Sequence, residues 1–318
     1  MPDSNSDNRL APTAVLQILS ERKMNIHALL KQMKNTTFNA RRIGMAHQIL
    51  EEMIADQECT KFLSLAGALV PAGMRSLLSS VISKKFFNVI VSTGANLTHD
   101  LVEAIGYSHV RLTDKFSDSL LYEEGKSRIY DTTIEDEAFV KLENWVRTTL
   151  SEAYEEEKLE GFIPTHIVLR ELGRRLNTNA SIIGAAAKAD IPIFCPAITD
   201  SMLGLHITLL GQEINLKIDP CAELQAILDI GFESKKTGAL IVGGGVPKNY
   251  ILQTTLISGR KLSYGIQVTM DRPEHGGLSG ASLEEAVSWG KVDPKAKLVT
   301  VVADATIALP LLLGAILD

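Results

Sequence analysis

Cysteine is scarce: Cys59, Cys195 and Cys221 are the only three in 318 residues, an odd number with no CxxC pair. That excludes a disulfide scaffold and a thiolate zinc cluster, and it points to a reducing compartment, read here as cytoplasmic. Positive charge is not in excess either. The 38 acidic residues outnumber the 32 basic ones and leave a net charge of −6, so no global basic field recruits nucleic acid or an anionic membrane. Aromatics amount to 5%, and the core must therefore be built mainly from aliphatic side chains. No apolar run reaches the roughly 20 residues of a membrane span, since the longest, 303–317, carries Asp304 and Pro310. The first ten residues are polar and contain no signal-peptide core. The seven histidines form no HxxxH or HExxH pair, and no metal site is expected. Neither GxGxxG nor a P-loop is present, and there is no internal repeat.

What remains is an aliphatic-rich chain, 45% hydrophobic and 22% charged, punctuated by glycine and proline. Short β-branched runs at 61–65, 87–92, 191–194, 239–242, 263–268 and 298–302 are apolar on both faces, as strands of a buried parallel sheet are. Helical spacing occupies 71–83, 98–105, 221–228, 248–258 and 303–317. The alternation predicts an α/β, doubly wound, mostly parallel Rossmann-like sheet. Residues 14–33 and 40–54 also have helical spacing and predict an N-terminal helical arm. We divide the chain into a tail and arm (1–56) and a single catalytic domain (57–318). An acidic insertion (114–160) carries one exposed helix, and its charge run at 154–158 reads as a solvated face.

Three turns follow strands and lead into helices. Gly243-Gly-Gly-Val-Pro247 allows close backbone approach to a phosphate or a nicotinamide ring at a helix N-terminus, and reads equally as a structural turn. Ser92-Thr-Gly-Ala-Asn-Leu-Thr98 is similar, with Asn96 or Thr98 as a possible N-cap. Ala197-Ile-Thr-Asp-Ser201 is the third. All three fall at the carboxyl edge of the sheet, where ligands bind in such folds, and together they favour a nucleotide-type site. Downstream lie His275-Gly-Gly-Leu-Ser-Gly280 and Ser288-Trp-Gly-Lys291. A lysine beside Trp289 in an apolar pocket would lose hydration, its pKa would fall, and a neutral amine is what imine chemistry needs. The competing reading is a surface lysine near a turn. Ser282 with Glu285 has the form of a capping box, and His206, in an apolar segment, reads as a satisfied core histidine.

The combination of Gly243-Gly-Gly-Val-Pro-Lys248, Leu278-Ser-Gly-Ala281 and Glu285-Ala-Val-Ser-Trp-Gly-Lys291 resembles deoxyhypusine synthase. Phe62-Leu-Ser-Leu-Ala-Gly67, Val91-Ser-Thr-Gly94, Pro196-Ala-Ile-Thr-Asp200 and Ala303-Asp-Ala305 extend the resemblance in order along nearly the whole chain. It implies an NAD-dependent enzyme that dehydrogenates spermidine, holds the aminobutyl fragment as an imine on a lysine, and passes it to a lysine of a translation factor precursor. By that resemblance Lys291 is the imine-forming lysine, Trp289 the aromatic wall beside the polyamine, and Glu285 a carboxylate of the amine pocket. Thr93, Gly94, Ala95, Asp200, Gly243, Gly244, Ser279 and Asp304 fall at positions of the NAD site. Homotetramers with active sites at subunit interfaces are implied too.

The chain departs from the eukaryotic pattern at four places. Thr98, Leu205 and Leu278 stand where that branch has acidic residues, and Asn249 stands where it has an active-site histidine. Removing carboxylates weakens a polycation site, because a buried ammonium needs partners. Either His275, Asp271, Glu274 or a neighbouring subunit compensates, or the amine differs. The segments 66–71 and 276–280 look like the prokaryotic branch, which includes archaeal deoxyhypusine synthases and bacterial deoxyhypusine synthase-like proteins whose role need not involve the translation factor. Three functions follow: deoxyhypusine synthesis, aminobutyl transfer to a small amine as in a homospermidine synthase, and a non-catalytic NAD-binding protein.

Overall fold

The computed structural model describes residues 15, 16, 18, 24–112, 116–156, 158–178 and 180–318. Eleven strands occur among them: β1 (Cys59–Leu65), β2 (Val89–Ser92), β3 (Val110–Arg111), β4 (Lys126–Ile129), β5 (Thr132–Glu135), β6 (Gly161–Ile163), β7 (Ile193–Phe194), β8 (Leu216–Ile218), β9 (Lys236–Val242), β10 (Leu262–Thr269) and β11 (Val292–Val302). All six expected strands fall in one sheet of order β11-β10-β9-β1-β2-β7, and every pairing in it is parallel. From β1 the chain first builds outward through β2 to β7, then returns to the other side with β9, β10 and β11. This is the doubly wound order, and its direction reverses between β1 and β9, where the carboxyl ends leave a crevice.

Alternation explains why the strands read as apolar on both faces. Leu63, Leu65, Ile90, Leu240, Val242, Ile266 and Val268 join the larger core on one side of the sheet. Phe62, Val89, Val91, Ala239 and Ile241 join a second core on the other. Helices cover both faces, as the pleat then demands. The helix Gly245–Ser258 belongs to the second face through Ile251 and Leu252. The helix Phe38–Ala55 belongs to the first through Ala46, Leu50 and Met53.

Several boundaries differ from expectation. Of the helix expected over 14–33, the helical part is Ile26–Met33, begun by Asn25, whose side chain accepts from the Ala28 amide at 2.8 Å; residues 14, 17 and 19–23 lie outside the described residues. The second arm helix packs on β10 and β11 and shares the main core. The insertion contains more than one exposed helix. Its strands β4 and β5 join β3, which precedes it, in a small antiparallel sheet, and the helix Glu137–Glu155 buries Leu142, Val146, Leu150 and Ala153 along one stripe. The acidic run behind it is paired as well as solvated, with Glu156 accepting from Lys158 and Arg175 at 2.5 and 2.9 Å. Helices Thr165–Arg174 and Ile182–Ala189 were not expected, although Pro164 stands at the start of the first. The second is capped by Ser181, which accepts from the Gly184 amide.

Candidate functional site

Two adjoining cavities hold most of the residues singled out above. The first, about 150 Å³, sits at the β1/β9 crevice and is lined by Ala66, Ser92, Thr93, Gly94, Ala197, Asp200, Gly244–Pro247 and Ser279. Two helix N-termini, those of Gly94–Ala104 and Gly245–Ser258, open onto it. Among the described residues neither has a side-chain cap, so their first amides stay free for an anion. The glycines here are steric requirements. A Cβ on Gly94 would stand 2.5 Å from Ser201 Oγ, and one on Gly244 would stand 2.4 Å from Ser279 Cα. Gly243 has φ +72° and passes its carbonyl to Gln267 Nε2 at 2.9 Å. The cradle is narrow, glycine-floored and edged by two helix N-termini, features that fit the phosphate portion of a dinucleotide.

Ala95, Gly243 and Asp304 are not among the residues lining this cavity. Ala95 is exposed one residue further along its helix. Asp304, at the end of the edge strand β11, caps the helix Ala305–Leu317 by accepting from the Thr306 amide and hydroxyl at 2.7 and 2.6 Å, and these bonds hold its carboxyl below the usual range. Asn96 and Thr98 are not N-caps, because their helix starts earlier, at Gly94. Buried Asn96 accepts from the Val70 amide. Thr98 donates to Gly94 O and accepts from the Leu203 amide, joining two helices.

The second cavity, about 390 Å³, is lined by Lys248, Asn249, Leu252, Gly276–Leu278, Ala281, Ser282, Glu285, Ala286, Trp289 and Lys291. Lys291 enters it from the opposite edge of the sheet. Its carbonyl accepts from the Leu262 amide and Thr255 Oγ1 at the start of β11. Its side chain then runs back along the helix Gly245–Ser258 until Nζ is 3.5 Å from Asn249 Oδ1. Six residues separate Thr255 from Asn249, about 9 Å of helix. Nζ also lies 5.4 Å from the centre of the Trp289 ring, a cation–π separation. Trp289 is 64% exposed and so walls the amine without enclosing it. Ser282 Oγ accepts from the Glu285 amide at 3.2 Å, one half of the capping box, which leaves the Glu285 carboxylate free to face the cavity.

Not every expected neighbour joins this group. His275 turns outward to Asp271 Oδ1 at 2.8 Å, pulling that carboxyl below its usual range. Leu278 lines the cavity, whereas Leu205 lies exposed on the helix Met202–Leu210 and lines neither. His206 is buried as expected but not satisfied. Neither ring nitrogen has a hydrogen-bond partner among the described residues, and burial lowers its pKa.

Two residues the sequence reading passed over hold the cavities together. Lys248 is 2% exposed and its Nζ donates to Gln267 Oε1 at 3.0 Å, Leu278 O at 2.9 Å and Ala281 O at 2.5 Å. Gln267 in turn donates to Gly243 O and Ser279 O, both at 2.9 Å. Together they tie the glycine turn to the loop that separates the cavities. Burial, with Lys291 adding repulsion, lowers the Lys248 pKa to about 8 against the pull of Glu285 and Glu284. A lone glutamine in the apolar strand β10 was the available signal, since a buried amide there must have partners.

Comparison with known proteins places the chain in a family. Residues 28–316 match the family described as deoxyhypusine synthase. A protein named "Probable deoxyhypusine synthase" from Methanosarcina thermophila is 43% identical over 293 residues, covering 92% of this chain and 91% of its own. "Probable deoxyhypusine synthase 1" from Archaeoglobus fulgidus is 42% identical over 298 residues, covering 94% and 96%. A crystal structure described as an Entamoeba histolytica deoxyhypusine synthase superposes with a TM-score of 0.65 at 20% identity, covering 92% of this chain and 93% of that one, which speaks for the fold. The chain belongs to the deoxyhypusine synthase family.

Proposed function

We propose that the protein is an NAD-dependent transferase that moves the 4-aminobutyl group of spermidine, through an imine on Lys291, to a lysine of a translation factor precursor. The observation that carries this reading is the convergence of Lys291, Asn249, Trp289 and Glu285 on one cavity beside a glycine cradle. Gly94, Gly244 and the two uncapped helix N-termini would hold the cofactor. When bound, NAD supplies a hydride acceptor for the substrate carbon and returns the hydride at the end, so it is not consumed.

The chain's own residues do the rest. Glu285 offers an ammonium its counter-charge at the cavity wall, and the Trp289 face accepts a cationic or methylene stem. The Lys291 amine attacks the substrate's C=N carbon. The bond from that carbon to the diaminopropane nitrogen then breaks, and the free diamine leaves with the proton. Asn249 Oδ1 is placed to orient the Lys291 amine. The acceptor amine repeats the exchange and frees Lys291. Incubation with NAD and spermidine is expected to release 1,3-diaminopropane. Absence of release at every pH tried would contradict the proposal.

A small-amine acceptor is the second reading, favoured by Leu278 at the cavity wall and by Glu285 as the carboxylate among its lining residues. Product analysis with putrescine separates the two: homospermidine supports the second reading and its absence supports the first.

A further inference from the structure

We propose that His27, His47 and Glu51 form a site for a zinc-class divalent cation, with a fourth position open to the recess beside them. His27 lies on the helix Ile26–Met33, while His47 and Glu51 lie one turn apart on the helix Phe38–Ala55. His27 Nδ1 and His47 Nε2 are 3.1 Å apart. Glu51 Oε1 is 3.4 Å from the first and Glu51 Oε2 is 3.5 Å from the second. All the donor atoms fall within 4.8 Å of one another. Four ligands placed tetrahedrally about 2.1 Å from zinc stand about 3.4 Å from each other. The two imidazole nitrogens, and each of them with one oxygen of the Glu51 carboxylate, already stand near that spacing.

The donor types agree with the spacing. Two imidazoles and one carboxylate form the three-ligand set that leaves zinc a water-filled fourth position, and imidazole selects zinc-class ions over magnesium or calcium. His47 is buried, and its Nδ1 has no hydrogen-bond partner among the described residues, so its polar contacts are all made at Nε2, toward the triad. His27 and Glu51 line a recess of about 580 Å³ with Asn25, Phe86 and Asp318, which gives an ion a path in and room for the exchangeable ligand.

The site is separate from the lysine cavity. The helix Phe38–Ala55 packs on one face of the sheet, while Lys291 and the helix Gly245–Ser258 lie on the other. A bound ion would pin the helix Ile26–Met33 to the body of the protein and take no part in chemistry at Lys291. The inference is independent of the proposed function.

The test is a titration of the full chain, stripped with a chelator, using Co²⁺ and then Zn²⁺. We expect one Co²⁺ per chain with the visible absorption of four-coordinate cobalt, displacement by Zn²⁺, and a higher thermal midpoint with Zn²⁺ present. His27→Ala is expected to weaken binding more than about 100-fold, beyond the roughly 10–100-fold lost with an outer-shell partner. Glu51→Gln keeps the hydrogen-bonding shape and serves if the histidine variant does not fold. No cobalt spectrum, or binding undiminished in both variants, would overturn the site and leave the triad a hydrogen-bonded staple.

Discussion

At the scale of single residues, the groups proposed to do chemistry differ from the buried groups that hold their cavities together. Lys291, Trp289 and Glu285 were legible because each sits in a dense, ordered motif. Lys248 was not, since a lysine one residue past a glycine turn has no sequence mark of being buried. Its role predicts a pH signature. The folded pKa, lowered to about 8, is below the ordinary lysine value near 10.4 that the unfolded chain keeps. Between those values the unfolded state binds the extra proton, so stability contributed by this group rises with pH. Urea unfolding should therefore show the wild-type advantage over Lys248→Met growing from pH 7 to pH 9.5, and a constant difference would contradict it. Gly244→Ala tests the cradle: a Cβ 2.4 Å from Ser279 Cα is overpacking of about 1–3 kcal/mol. We expect NAD affinity to fall about ten- to hundredfold with circular dichroism unchanged.

At the scale of elements, the six core strands could be read because residues buried on both faces must be apolar at every position, a rule with few alternatives. The short strands β3, β4 and β5 gave no such signal, since they are half-exposed and polar. Helix joints were equally hidden. Buried Asp100 accepts from Arg75 Nε at 2.8 Å, from Ser181 Oγ at 2.7 Å and from the Ile182 and Ile183 amides, binding three helices at one carboxylate. Asp100→Ala leaves Arg75 without its buried partner and should cost about 3–5 kcal/mol in chemical denaturation. His99, on the same helix, has its pKa lowered to about 4, first by burial and then by His109. As pH falls from 6.5 toward 4, the unfolded chain takes a proton that the folded chain refuses, and stability is lost. The thermal midpoint should drop over that window, and His99→Gln should flatten the drop.

At the scale of the whole molecule, the sheet order places the glycine cradle at the switch point, while Lys291 reaches the same region from the far edge. Local pattern could not show that meeting, because it depends on which side of the sheet each helix takes. Val246, Leu278 and Trp289 are exposed at the rims of the two cavities, and the homotetramer expected from the family would cover them. Native mass spectrometry should find four chains, and a single chain would count against shared sites. The most direct test of the account is mass spectrometry of the protein after incubation with NAD and spermidine and reduction with borohydride. An aminobutyl adduct on Lys291, lost in Lys291→Ala, is expected; a protein that binds NAD yet acquires no adduct on Lys291 would overturn the imine mechanism.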